Sequence, residues 1–296
     1  MYNTIENYLE ALKQEMSGSD AALVQDAQAD AREHLSLAME DAKEKNPEIN
    51  TVEVLQTIIE GHGSPEETAA AYREIERRTT PSLKTAKKQT SLIGRFFGIY
   101  LDPRTWGSLL FMFIAFVTGI IYFTWVVTGL SLSVGLFILI IGIPFTILFL
   151  LTVQGLALLE GRLVEALLGE RMPRRPLFAQ PGLKWLDRLK ALVTDKHTWL
   201  SMIYMILQLP LGVIYFTINT TLISVSLAFM AAPFIQFFSK TPIIHLDSGP
   251  VILPYWQLFL FALSGFILLT MNMHLTRGIG WLHGKYAKKM LVSLTD

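Results

Sequence analysis

The sequence predicts an all-α protein in two parts: a small four-helix cytoplasmic domain, then a polytopic α-helical membrane domain built from two parallel repeats. Three observations predict it. First, residues 109–159, 200–239 and 248–276 contain no Asp, Glu, Lys or Arg. Second, the balanced total of 25 acidic and 25 basic residues is divided: residues 1–80 hold 17 acidic against 7 basic, and the remainder 8 against 18. Third, the membrane part repeats itself. A bilayer core is crossed by about 20 apolar residues in a helix, so the uncharged runs read as membrane segments. With 51% hydrophobic residues and no cysteine, a disordered chain and a disulfide scaffold are excluded.

Residues 1–80 form the first expected domain. The first apolar run starts beyond residue 100, behind an acidic segment and with no signal peptide, so this part is expected to stay in the cytoplasm. Residues 2–16 space Ile5, Tyr8, Leu9 and Leu12 on one helical face. Asp20 caps a long helix to about Lys45, with Leu23, Val24, Ala27, Ala31, Leu35 and Ala38 as its apolar set and an acidic opposite face. Asn50 caps a third helix that buries Val52, Leu55, Ile58 and Ile59 and ends at Gly61. Ser64-Pro65-Glu66-Glu67 opens the fourth as a capping box with proline at the first helical position, followed by Ala69–Ala71, Tyr72 and Ile75. His34 has no second His or Cys four residues away and reads as a solvated helix residue in preference to a pH or metal switch.

The opening YLEALKQEM, the stretch DAREHLSLAMEDA and the junction GHGSPEETAAAYREI carry a resemblance. Residues 1–78 resemble the HAAS domain, the helical signalling domain associated with PadR-type transcription regulators. The resemblance implies a cytoplasmic PadR-like regulator as partner. Nothing in the acidic segment points to direct nucleic-acid binding.

Residues 81–100 read as a linker whose Lys84, Lys87 and Lys88 favour anionic headgroups. From there to 296 the chain is duplicated, with repeat one at 102–175 and repeat two at 195–296. Asp102, Thr105, Trp106 and Ser108 return as Asp195, Thr198, Trp199 and Ser201, an offset of 93 that also maps Met112, Gly119 and Ile121–Thr124 onto Met205, Gly212 and Ile214–Thr217. Further on, Gly155, Leu159, Gly161 and Arg162 match Gly278, Leu282, Gly284 and Lys285 at an offset of 123. Pro144 matches Pro233, so the second copy gains 30 residues after Pro233, near the polar stretch 239–250. Each copy opens with a helix-capping aspartate (Asp102, Asp195) and an interfacial tryptophan anchor (Trp106, Trp199).

Basic residues cluster at 84–104, 162–196 and 277–289, and the positive-inside rule puts all three in the cytoplasm. An even number of crossings must separate them. The expected spans are 108–128, 132–156, 200–220 and 253–275, with 221–238 a partly inserted or re-entrant helix broken near Pro233. Residues 157–172 and 276–293 are expected along the interface as amphipathic helices. Their small residues Ala157 and Gly161, matched by Gly280 and Gly284, have the spacing of a close helix crossing, although glycine is also simply frequent near membranes.

DPRTW, TGIIYF, IGIPF and GLALLEGRLVEALLG in the first copy, with LVTDKHTW, QLPLGVIYF and MAAPFI in the second, carry another resemblance. Residues 93–293 resemble the sensor membrane domain found ahead of histidine kinases in many bacteria. No kinase follows residue 296, so the output is expected to pass through the helical domain or a partner.

No Walker, G-x-G-x-x-G, H-E-x-x-H, G-x-S-x-G or Cys-pair motif occurs, and the six histidines have no ligand spacing, so neither an enzyme nor a cofactor or metal is expected. No acidic residue is expected to be buried mid-membrane. Of the intramembrane polar groups, Asn219 is the best ligand candidate, followed by Gln208 and the repeat-matched Tyr122 and Tyr215; Gln154 and His274 sit near helix ends, within reach of water. The expected function is an inner-membrane sensor, embedded in the lipid bilayer with both termini cytoplasmic, that relays a membrane or envelope state to a protein partner. The alternative is a small transporter or lipid-handling protein.

Overall fold

In the computed structural model, residues 2–46, 50–79, 92–136, 138, 141–174, 193–239, 244–246 and 249–292 are described, and nearly all are helical. The linker lysines at 84–88 and most of the basic stretch 175–192 lie outside them. Contacts divide the chain into two compact units. One comprises Met1–Lys84, Thr124–Ile206 and Lys285–Asp296; the other comprises Thr85–Phe123 and Leu207–Gly284.

The first unit begins with α1 (Ile5–Glu15), α2 (Ala21–Lys45), α3 (Thr51–His62) and α4 (Pro65–Thr79). Their apolar faces close on one core containing Tyr8, Leu12, Met16, Ala27, Leu35, Leu55 and Ala69. The caps are made as the sequence implies. Asp20 Oδ1 accepts from the Ala22 N–H at 2.9 Å, and Asn50 Oδ1 from the Val52 N–H at 3.2 Å. At the start of α4 the Ser64 N–H donates to Glu67 Oε2 while the Glu67 N–H donates to Ser64 Oγ. Gly63 holds φ at +105°, where other residues are strained, and so ends α3 immediately before that box. The buried Tyr8 hydroxyl ties the junction to α1, donating to the Gly63 carbonyl at 3.0 Å with Thr68 Oγ1 also 3.0 Å away. Tyr72 donates to Asp30, joining α4 to α2. Val52, expected in the core, is exposed instead, and α3 buries Leu55 and Ile59.

His34 is solvated on its helix, as expected, and has a neighbour. Its ring is exposed but stacks on His62 of α3, centroids 4.7 Å apart. Sequence spacing within α2 could not reveal a partner on another helix. Burial lowers the pKa of His62 from the usual 6.5, and the neighbouring His34 lowers it further, against a smaller opposing effect of Asp30. A depressed histidine in the folded state means that the unfolded chain takes up the proton first. Stability of this domain is therefore expected to fall as pH drops from 7.5 through 6.5 towards 5.5. The slope should flatten in His62→Gln, as read by thermal melts at stepped pH.

The remaining chain forms α5 (Leu92–Phe97), a 3₁₀ turn (Gly98–Leu101), α6 (Pro103–Leu136), α7 (Gly142–Leu168), α8 (Lys196–Ser239), a short antiparallel hairpin of β1 (Ile244–Leu246) and β2 (Gly249–Val251), and α9 (Tyr255–Leu291). Helices α6, α7, α8 and α9 are long and apolar enough to cross a membrane. Three expectations change here. Residues 221–238 are not a separate re-entrant piece, because the 44-residue α8 runs through both Pro210 and Pro233. Its length of about 66 Å exceeds the roughly 30 Å of hydrocarbon. Proline removes one backbone bond, but in a membrane neighbouring helices tolerate the gap. Residues 157–172 and 276–293 are not separate interfacial helices either; α7 continues to Leu168 and α9 to Leu291.

In the second unit α6 and α8 approach through glycine. A Cβ on Gly119 would lie 2.7 Å from the Gln208 carbonyl oxygen, and one on Gly212 would lie 2.5 Å from that of Ala115. These two glycines are separated by the offset of 93 residues seen in the sequence. Phe216 lies against Phe116, with centroids 4.7 Å apart, and edge-on to Phe113. Gly212→Ala should force the helices apart and lower the melting temperature in detergent by several degrees. Gly155→Ala, with no neighbouring heavy atom within 4 Å, should not.

Candidate functional site

The first candidate is a clasp between the acidic helical domain and the ends of two apolar helices, all within the first unit. Gly169 adopts φ +73° and terminates α7. Residues 171–174 then run against the helical domain. Arg171 pairs with Glu76 of α4 and with Asp26 of α2, the latter at 3.3 Å. The Arg174 N–H donates to Asp26 Oδ1 at 2.6 Å, and its guanidinium meets Glu165 at 3.1 Å. One turn from the end of α9, Lys288 donates to Asp20 Oδ2 at 2.5 Å. The Arg171 and Asp26 side chains are 15% and 9% exposed, which separates this contact from ordinary surface pairs. Met172, fully buried, packs over Gly161, whose added Cβ would sit 3.4 Å away. Sequence reasoning did not single out Asp26, reading the face opposite the apolar set only as acidic. The available signal was its place beside Ala27 of the apolar set.

A second arrangement lies among the helices themselves. Glu160 of α7 is completely buried and accepts from the Tyr204 hydroxyl of α8 at 2.9 Å. Glu160 looked like the first charge beyond an apolar run, but α7 continues past it and its side chain is buried. The Tyr204 ring stacks on Tyr286, centroids 5.4 Å apart. Nearby, Gln154 donates to Thr198 Oγ1 at 3.0 Å, so it turns inward and not to water at a helix end. The offsets of 93 and 123 map Phe111 onto Tyr204 and Glu160 onto His283. In the second unit Phe111 and His283 are likewise neighbours, with centroids 4.8 Å apart. The first pair joins α7 to α8 and the second joins α6 to α9.

In the second unit a polar knot ties α6, α8 and α9. Asn219 Nδ2 donates to the Tyr215 carbonyl at 3.0 Å and lies 2.9 Å from Met112 Sδ. Asn219 Oδ1 accepts from Thr276 Oγ1 at 2.7 Å and from Asn272 Nδ2 at 3.3 Å. Tyr215 Oη lies 3.1 Å from His283 Nδ1. Asn219 and Tyr215, two of the four ligand candidates, therefore come together, but as a helix-to-helix tie with the amide of Asn219 already engaged on both atoms. Tyr122 and Gln208 are buried, and Gln208 supplies the carbonyl against Gly119. Ala157, Gly161, Gly280 and Gly284 are buried. His274 Nε2 lies 3.0 Å from the Phe96 carbonyl.

The repeat openings agree in detail. The Trp106 indole N–H donates to the Tyr100 carbonyl and that of Trp199 to the Val193 carbonyl, both at 2.8 Å and both six residues back. Both rings remain about half exposed, as an interfacial anchor requires. Asp102 Oδ1 accepts from the Arg104 N–H, and its other oxygen pairs with Arg277 at 2.9 Å; Asp195 Oδ2 accepts from the Thr198 N–H at 2.9 Å.

Residues 111–291, more than half of the chain, match the family described as Putative sensor. The chain belongs to the Sensor family. The Sensor match takes in Glu160, the Asn219 knot, Arg171 and Lys288, and it begins after the helical domain. No curated protein and no solved structure matches the chain.

Because the Tyr204 hydroxyl supplies a hydrogen bond to a buried carboxylate, Tyr204→Phe should cost about 1–2 kcal/mol. Glu160→Gln, which keeps an acceptor oxygen, should cost less. A double-mutant cycle followed by denaturant titration in detergent checks both, and independent, additive losses would contradict the pairing.

Proposed function

We propose that this Sensor-family protein is a signalling protein of the bacterial plasma membrane that relays the state of its membrane helices to a cytoplasmic protein partner through residues 1–80. The observation that carries the reading is the clasp: Asp26 and Glu76 hold Arg171, and Asp20 holds Lys288. The helical domain is thereby attached to the end of each repeat, so a change in helix packing has a direct route to it. The clasp also bears on topology. Four crossings return the end of α9 to the side of α1–α4, in keeping with the lysine at that end meeting the domain. The acidic character of the domain and its HAAS-like junction, from Gly61 to Ile75, favour a soluble regulator of the PadR type as partner. The duplication is supported by the reciprocal glycine contacts and by the matched Glu160–Tyr204 and Phe111–His283 neighbours.

A transporter is the weaker reading. Asn219, its best candidate, spends its hydrogen bonds on α6, α8 and α9.

Affinity capture of the detergent-solubilised chain, with and without residues 1–80, tests the proposal. A specific soluble regulator should co-purify with the full chain, be lost on truncation and be enriched by Arg171→Gln, which loosens the clasp. An identical set of captured proteins from both forms would refute the relay through the helical domain.

A further inference from the structure

The basic half of the clasp occupies a particular place. Arg171 follows the αL glycine that ends α7, and Lys288 lies in the last turn of α9, both where long apolar helices give way to polar chain. Long basic side chains at such positions extend to the headgroup layer. On α9, Trp281 precedes Lys288 by seven residues, hence shares its face, and is 56% exposed. Here, however, the two cations are not turned outward. Each is held by carboxylates of the helical domain, and Asp20 and Asp26 present those carboxylates about 9 Å apart along α2. Arg171 keeps one donor in reserve, because its buried Nε has no acceptor among the described residues.

We infer that Arg171 and Lys288 form a receptor for the phosphodiester headgroups of anionic lipid, and that Asp20, Asp26 and Glu76 occupy it as an internal competitor. This rests on the relay reading and names its input: the anionic lipid content of the membrane. The competition is physically direct. A phosphodiester and a carboxylate offer a guanidinium the same planar pair of acceptor oxygens. A membrane rich in anionic lipid attracts each basic group released at its surface. It also repels the helical domain, whose residues 1–80 carry 17 acidic against 7 basic side chains. Both effects act in one direction. Zwitterionic lipid leaves the clasp closed, and anionic lipid opens it.

The chain has no cysteine, so a spin-label pair can be placed cleanly. Leu37→Cys on α2 and Ala166→Cys on α7 are both exposed and lie in the same unit. The full chain would be reconstituted in phosphatidylcholine vesicles with and without phosphatidylglycerol, and the label distances measured by pulsed electron paramagnetic resonance. One short distance is expected in phosphatidylcholine. With phosphatidylglycerol, the ratio of long to short distances should rise about tenfold or more. Arg171→Gln and Lys288→Gln should each give long distances in both vesicles and shrink the lipid response. Asp26→Asn, which keeps an oxygen for the Arg174 N–H, should open the clasp without removing a basic group, which guards against a folding failure. The same distribution in both vesicles would overturn the inference. Inorganic phosphate added to phosphatidylcholine vesicles at constant ionic strength should do nothing; opening equal to that with phosphatidylglycerol would replace the lipid by a soluble anion and overturn it as stated. Lipid-dependent opening without capture of any regulator would retain the receptor and discard the relay, whereas regulator capture without lipid-dependent opening would do the reverse.

Discussion

Inside hydrocarbon a polar group has no water to turn to, and most of this molecule follows from that. Backbone groups are satisfied by four long helices. Several side chains that remain polar along them are bonded to one another: Glu160 to Tyr204, Gln154 to Thr198, Asn219 to Asn272 and Thr276. Such bonds are directional, and each runs between helices that are far apart in sequence. They therefore select one pairing of helices where apolar surfaces, alike all round, would allow several. The glycines do the complementary work. At Gly119 and Gly212 the backbones come so near that dispersion contacts replace side chains, and a single methyl group would part them.

The clasp obeys different rules. Its members can all be hydrated when apart, so its strength depends on salt, on burial and on what else competes for the cations. A bonded interior joined to a helical domain by a breakable electrostatic contact places the labile step at one defined location.

Much of this was legible in the sequence, and the failures have definite causes. The four N-terminal helices, their caps at Asp20, Asn50 and Ser64, and the two aspartate–tryptophan openings were readable because capping and anchoring are local chemistry. The errors arose where a local rule met a distant partner. Glu160 resembled the boundary of a membrane segment because charge normally marks one; a tyrosine 44 residues later keeps it inside. Pro233 resembled a break because proline removes a bond, yet α8 passes through it. Asp26 was not singled out from the acidic face of α2, because its partners Arg171 and Arg174 come from beyond the second apolar helix. His34 looked solitary for the same reason. Asn219 was correctly singled out as unusual, but its role is to hold helices together.

The exchange of partners between repeats has a consequence for biosynthesis. Tyr100 and Asp102, at the threshold of α6, find Thr270 and Arg277, which leave the ribosome some 170 residues later. Helix α6 can enter the membrane but cannot complete this packing until α9 has been made. The helical domain, by contrast, has all of its core in hand as soon as α4 emerges. Synthesis therefore delivers a finished helical domain ahead of its unfinished membrane helices, and Lys288 can engage that domain only once α9 has been made. The ion pair at Asp20 therefore forms only after α9 exists: until then the helical domain is held on one side at most, by Arg171.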